Sequence, residues 1–524
     1  MNLNILFENA VSRFRDRVAF QDAHRRVSFA DIDRRTRGLG TGLLRLGLEK
    51  GSRIASLQYN SIETFEVDAT AARFGFVRTL LNARYGLDDF EHALGHSGAC
   101  ALVFDAAFTA TVEKLRPRLP KLRHYICIGD NAPAWAMRYE DLAGVPDAGA
   151  PDAGAPPYPV EEDDWHSIYY TSGSTGRPKG VVLSQRNWLV VIRNHLAGPF
   201  RKAGDADVLL HAAPMSHASG AMGLTHFMVG ARQVVLPRFD AREALRLIEE
   251  EQVTTTFLAP TMIQMLLQHP EHDRFDKSSL HTVVYGGAPM PVEHLKHALR
   301  EWGPVFVQGY GQWEAPQLVA YLDQEQHRIA LEQGLEHRLA STGTPVLFCA
   351  VAIMDDEGKL LPPGVEGEIV TSGDHQMVGY LDNPEATAAD RHGIWQRSGD
   401  VGKFDEDGFL YITDRKKEVI ITGGSNVYPR EVEETLHAHP DVQEAVVIGI
   451  PSEKWGEQVH ALVVTRSNGT FDAEGFLAWC RERMGTDKRP RSVERVDELP
   501  KSAYGKILRR EIRERYWAGV SRRI

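Results

Sequence analysis

"YYTSGSTGRPKG", residues 169–180, is the stretch on which the reading of this chain turns. Glycines at 173, 176 and 180, hydroxyls on Thr171, Ser172, Ser174 and Thr175, and the ammonium of Lys179 fall close together. Backbone amides in a glycine-rich turn, hydroxyls and one lysine can together surround an anion. Apolar, β-prone runs stand on both sides, "HSIYY" at 166–170 and "GVVLS" at 180–184, so the pattern predicts strand, loop, strand. A Walker loop needs glycine directly before its lysine and Ser or Thr directly after it. Pro178 and Gly180 occupy those places here. That sets aside an ordinary P-loop ATPase and keeps phosphate chemistry.

Upstream, "RVAFQD" and "RIASLQ" read as strands, and "ADIDRRTRGLGTGLLRLG" as an amphipathic helix stopped by glycine. Residues 143–164 hold the unit PDAGA twice in tandem among Pro, Gly and Ala, the composition of a surface linker. Downstream, "VLLHAAP", "ARQVVLP", "TTTFLAP" and "HTVVYGG" alternate with helical stretches such as "DAREALRLIEEEQ". That alternation predicts parallel sheets covered by helices, an α/β fold. From about 340 to 413, strands joined by acidic glycine turns predict a hairpin-rich, barrel-like subdomain. A second domain is expected over 414–524, following a large one over 1–413. "EVIITGG", "EAVVIGIP" and "HALVVT" supply its strands, and "YPREVEETLHAHP" a helix with Pro429 at its first position and Val432 and Leu436 on one face.

The chain has 524 residues, with 43% apolar and 25% charged residues and a net charge of −11. This is globular composition, long enough for more than one domain. Residues 481–524 carry 14 Lys/Arg against 7 Asp/Glu, a local surplus of +7 beside −18 elsewhere. An acidic body argues against a general polyanion binder, so no nucleic-acid partner is expected. No long uncharged apolar run and no signal-like N-terminus is present, which predicts a cytoplasmic protein without a membrane partner. Cys100, Cys127, Cys349 and Cys480 are far apart and form no metal or disulfide pattern. His294 and His297 in "VEHLKHAL" read as a solvated helix face, and Trp188 as core.

"YYTSGSTGRPKGVVLSQRN" resembles the signature of adenylate-forming enzymes: acyl- and aryl-CoA synthetases, peptide-synthetase adenylation domains and luciferases. Further stretches resemble that family in order along nearly the whole chain. The resemblance implies a large domain of two helix-covered sheets plus a small β-barrel, then a mobile α+β domain. It implies that Thr171, Ser172, Gly173, Ser174, Thr175, Gly176 and Lys179 hold the β- and γ-phosphates of ATP. It implies that "YGGAPM", with Gly287, Ala288 and Pro289, lies along adenine, and that Tyr285 and Gly286 line the acid pocket with His217. "GYGQWEAP" corresponds to the motif that brings Gly309, Tyr310, Gly311 and Gln312 to adenine and Glu314 to Mg²⁺; oxygen ligands suit that ion. In the same resemblance Asp400 and Arg415 hold the ribose, Lys417 is the domain hinge, and Gly423 and Gly424 line the CoA tunnel. Lys506, in "LPKSAYGKILRREI", is the cation that bridges carboxylate and α-phosphate.

The chain departs from that pattern at Trp313, where the family usually has threonine. Three readings stay open: an indole wall favouring a small or flat acid, altered activation chemistry, or packing with no functional part. The expected activity is a stand-alone carboxylate–CoA ligase using ATP, Mg²⁺ and CoA. Alternatives keep adenylation with another acceptor, such as a carrier protein, an amine or nitrite in diazotisation of an aryl amine. A nucleotide-binding protein without activity is the alternative of another class.

Overall fold

The computed structural model describes residues 2–144, 156, 158–171, 178–416, 418–422, 425–452, 454–466, 471–486, 488–501 and 507–518. Two sheets form the body of the large domain. One runs, in spatial order, through Gly379–Tyr380, Lys179–Ser184, Trp165–Thr171, Val77–Leu81, Arg53–Leu57, Ala101–Asp105, His124–Ile128 and Met137–Arg138. Its last six strands pair in parallel, while Trp165–Thr171 and Lys179–Ser184 form an antiparallel hairpin at one side. The other sheet has a parallel centre, Arg232–Val235, Val208–His211, Thr255–Leu258, Thr282–Gly286 and Phe306–Gln312. Antiparallel Ala315–Leu322 closes one of its sides. The strand and helix assignments read from alternating apolar runs hold in the parallel centre, where Val208–His211, Arg232–Val235, Thr255–Leu258 and Thr282–Gly286 are each followed by a helix.

Helix Ile62–Phe74 lies between the layers with every residue buried, which is why it shows no polar stripe. Its charges are paired internally: Glu66 with Arg35, and Asp68 with Arg78. Its Phe65 packs with Phe7, Phe20 and Phe227, and Trp188 belongs to the same cluster. Burying one such phenylalanine contributes roughly 1.5–3 kcal/mol relative to exposure.

The barrel-like subdomain is a half-barrel. Ala350–Met354, Gly367–Ser372, Trp395–Phe404 and Arg391–His392 lie side by side, and Leu410–Arg415 adds to Trp395–Phe404, all antiparallel. The boundary expected at Asp414 falls inside this last strand, since Asp414 and Arg415 still pair with Val401 and Asp400. The chain changes sheet after Arg415.

The small domain centres on the long hairpin Val442–Ser452 and Gly456–Thr465. Alternation splits its side chains. Ala445 and Val447 meet Val432, Leu436 and Phe476 on one face, while Val446 and Ile448 meet Leu499 and Ile512 on the other. Pro429 is the first residue of helix Pro429–His437, as its fixed φ favours. The four cysteines are free. No described helix is long and apolar enough to cross a membrane.

Candidate functional site

The site gathers where the antiparallel hairpin of the first sheet meets the strand ends of the second. Glu314 sits in the tight turn between Phe306–Gln312 and Ala315–Leu322. Tyr380 donates to its Oε1 at 3.1 Å, and the Thr171 hydroxyl stands 3.5 Å from the same oxygen. Tyr380 also reaches Asp390 at 2.7 Å. Burial raises the Glu314 pKa, and the hydrogen bonds offset this only in part. A carboxylate held this way gains from a nearby cation. Lys179 places its ammonium 4.4 Å from the Tyr380 ring centroid, so the stem of the glycine-rich loop and Glu314 share one neighbour.

A second cluster lies beside the first. The Tyr310 hydroxyl donates to Asp400 Oδ2 at 2.8 Å, and Arg415 Nε lies 3.2 Å from Asp400 Oδ1. Asp400 and Arg415 face each other across paired strands, so backbone register alone brings them together. Asp400 in turn holds Arg415 firmly protonated, and burial with Asp400 keeps the Tyr310 phenol neutral. Gln312 donates to the Ser398 carbonyl at 3.1 Å, tying the two clusters. Glycines make the approach possible. A Cβ on Gly286 would collide with the Gly309 carbonyl oxygen, and one on Gly311 would stand 2.9 Å from the Gln317 Cα. Gly287, at φ +76°, turns the chain where a side chain would be strained, and nothing lies within 4 Å of the space a Cβ would take. Ala288 and Pro289 follow it, half-buried and exposed.

Trp313 stacks face to face on Tyr169, with centroids 3.4 Å apart and planes at 10°. His217 meets the same indole edge-on at 5.7 Å. Burial pushes the His217 pKa down to about 3, so it presents a neutral ring. The expected grouping of His217 with Trp313 is present. Tyr285 is a correction: its side chain turns into the core beneath the sheet, where its hydroxyl meets His327 Nε2 at 3.1 Å. Alternation along Thr282–Gly286 puts Tyr285 on the face opposite to Val284, and that face is packed against helices. His294 is a second correction. It lies ring to ring with His437 of the small domain, 5.5 Å apart, rather than on a solvated face. Trp188 is core, 1% exposed.

Ser172, Gly173, Ser174, Thr175, Gly176, Lys417, Gly423, Gly424, Lys506 and the tandem PDAGA units lie outside the described residues. Two members of the site carried no role in the sequence reading. Tyr169 lay in plain view two residues before Thr171, its neighbour Tyr170 pointing the other way. Tyr380 sits in "MVGYLDNPEAT", where only the fold shows that it reaches Glu314. The described groups suit a nucleotide and a hard cation: an oxygen-only donor set at Glu314, and an acid–phenol–guanidinium cluster beside it.

A family model described as AMP-binding enzyme matches residues 7–381, and one described as AMP-binding enzyme C-terminal domain matches residues 431–506. A feruloyl-CoA synthase of Amycolatopsis sp is 37% identical over 497 residues, 94% of each chain. A medium/long-chain-fatty-acid–CoA ligase of Mycobacterium tuberculosis is 35% identical over 488 residues, 91% of this chain and 84% of that one. Among solved structures, the amide bond synthetase McbA from Marinactinospora thermotolerans superposes with a TM-score of 0.88 at 30% identity, covering 98% of this chain and 99% of that one.

Proposed function

The chain belongs to the AMP-binding enzyme family, and we propose that it is an ATP-dependent carboxylate–CoA ligase. The reaction runs in two halves. A carboxylate oxygen attacks the α-phosphorus of ATP, giving an acyl-adenylate and pyrophosphate. The CoA thiol then attacks the acyl carbon, the proton leaves the sulfur, and AMP departs. The observation that carries this reading is the pairing of a buried carboxylate, Glu314, with the Tyr310–Asp400–Arg415 cluster at the mouth of a glycine-rich hairpin.

In this reading Asp400 accepts from the ribose hydroxyls, and Arg415, 3.2 Å from its Oδ1, supplies a second ribose contact. Tyr310 lies against adenine, beside the Gly287–Pro289 turn. Thr171 and Lys179, with residues 172–176, take the departing phosphates. Glu314 would hold Mg²⁺, which supplies charge neutralisation between the phosphates. Lys506 would offset the repulsion between carboxylate and α-phosphate, the largest electrostatic obstacle to the step. Lys417 serves as the hinge, and Gly423 and Gly424 face the CoA thiol. No protein nucleophile is needed, because positioning and charge suffice at phosphorus. Trp313, with neutral His217 on one side and Tyr169 behind it, makes a short aromatic wall, which favours a flat or small acid. The similarity to a feruloyl-CoA synthase supports an aryl acid.

A second reading keeps the first half-reaction and replaces CoA with an amine. The likeness to an amide bond synthetase over nearly the full chain favours it. The experiment is pyrophosphate release from ATP with aromatic, short and fatty acids and with nitrite, each with CoA, with an amine, or with neither. Release with an aryl acid, and AMP turnover raised by CoA, is the expected result. Turnover raised only by the amine would select the second reading, and release with nitrite alone would exclude both.

A further inference from the structure

Two histidines on one helix grip both stems of the glycine-rich loop, and we propose that His92 and His96 are positioning residues for phosphate binding at that loop. The inference rests on the reading of residues 169–180 as the segment that holds the phosphates of ATP.

His92 and His96 lie one turn apart on helix Leu87–Ser97, their rings stacked 5.3 Å apart with planes at 15°. His92 Nε2 is 2.9 Å from the Pro178 carbonyl oxygen. A carbonyl only accepts, so Nε2 carries the proton and donates. His96 Nδ1 is 3.0 Å from the Tyr170 hydroxyl. Both rings stand edge-on to the Tyr170 ring, at 5.8 Å each. Tyr170 pairs with Gly180 and Thr171 with Lys179, the last rungs of the hairpin before the loop. One histidine thus holds the strand that enters the loop, and the other holds the residue that leaves it. Burial, then the neighbouring His92, hold His96 below its usual pKa, so its Nδ1 is free to accept the Tyr170 proton.

The His92 bond bears on chemistry through one peptide. In a trans peptide the N–H points away from the carbonyl, so holding the Pro178 oxygen also fixes the Lys179 N–H. It sets where the Lys179 side chain begins, and that side chain ends over Tyr380, which reaches Glu314. Thr171 and Lys179 held in place beforehand have less freedom to lose when an anion binds between them. The contacts of the two histidines run to Pro178 and Tyr170, the stems of the loop, so the effect is expected on the phosphates and not on the acid or ribose.

The test compares His92→Leu, which removes the donor, with His92→Gln, whose amide can still donate, and His96→Phe with His96→Gln. Michaelis constants for ATP and for the acid are measured from pyrophosphate release, and inorganic pyrophosphate binding is measured directly by calorimetry. Leucine at 92 should raise KM for ATP roughly threefold to tenfold, the factor carried by one ordinary hydrogen bond. KM for the acid should stay unchanged, and glutamine should restore most of the loss. An unchanged KM for ATP, or equal rises for both substrates together with a lowered melting temperature, would overturn the inference and leave the histidines as packing. If the wild-type protein releases no pyrophosphate with any acid, the reaction reading fails. Calorimetry then decides alone: weaker pyrophosphate binding by His92→Leu upholds the loop inference, and equal binding sinks it.

Discussion

At the residue scale, the site divides into groups with different tasks, and substitutions should separate them. Lys506→Ala should abolish adenylate formation while sparing thioester formation from a supplied acyl-adenylate, because the cation matters only while two anions approach. Equal loss of both halves, followed in single-turnover assays, would refute that division. Asp400→Asn keeps the shape and removes a charge. It should raise KM for ATP by about tenfold, the scale of one hydrogen bond to a charged group, and leave KM for the acid alone. Trp313→Thr should widen the pocket and admit longer acids, since it removes the indole that now lies on Tyr169. An unchanged acid profile would mean the indole only packs. The fate of Trp313 shows what sequence can and cannot carry. The departure from threonine was visible as a letter. Its meaning depends on Tyr169 and His217, one adjacent to the loop and one 96 residues away in the chain, meeting on one ring.

At the scale of elements, the strands and helices that carry a simple period and a simple stop were legible, while the wholly buried helix Ile62–Phe74, without a polar stripe, was not. Val446 and Ile448 against Ala445 and Val447 give period two, and Pro429 starts a helix. Register was not legible. Nothing in the sequence says that Asp400 faces Arg415, or that the change of sheet comes after Arg415 and not at Asp414. The contact between domains was equally hidden, since His294 looks like an ordinary surface residue until His437 is laid against it. That contact has a second member. Helix Val292–Trp302 begins after Pro291, which offers no side-chain cap, and the Val292 N–H donates instead to Glu434 of the small domain at 2.9 Å. A cap of this kind is worth about 1 kcal/mol, roughly a fivefold shift in an equilibrium. If the small domain turns between half-reactions, this bond must break each cycle. Glu434→Ala should then move adenylation and thioester formation in opposite directions, by about fivefold at most. Equal changes in both, measured with separate half-reaction assays, would show that the contact does not bias the orientation.

At the scale of the whole molecule, buried histidines make the protein sensitive to acid. Burial pushes His195 and His217 down to about 3, and His211, His327 and His375 down to about 4. His211 shows why the neutral form is kept: its Nε2 donates to Gln233 at 2.8 Å and its Nδ1 meets the Ser219 hydroxyl at 2.7 Å. In the unfolded chain each would titrate near 6.5. Between 6.5 and the folded value the unfolded state therefore binds protons that the native state refuses. Stability from these groups is fully present above about pH 6.5 and is lost as pH falls toward 4. Each costs about 1.4 kcal/mol per pH unit over that window, so three acting together would remove on the order of 10 kcal/mol by pH 4. Typical domains have about 5–15 kcal/mol in total. An opposite contribution comes from Asp414, which burial raises to about 6: the native state protonates it first, so it gains stability as pH falls from about 6 toward its unfolded value near 4. Burial raises Glu66, Asp68, Glu314 and Glu434 in the same direction, and these acids offset part of the loss from the five histidines. The melting temperature should thus hold between pH 8 and 7 and fall steeply below about pH 6. His195→Gln removes one of the titrating groups while keeping a polar side chain near Thr225, its 2.8 Å partner. It should lower stability at pH 7.5 yet flatten the decline by about one proton. A decline of equal slope in this variant, by calorimetry across pH 7.5 to 5, would assign the acid sensitivity to the carboxylates instead.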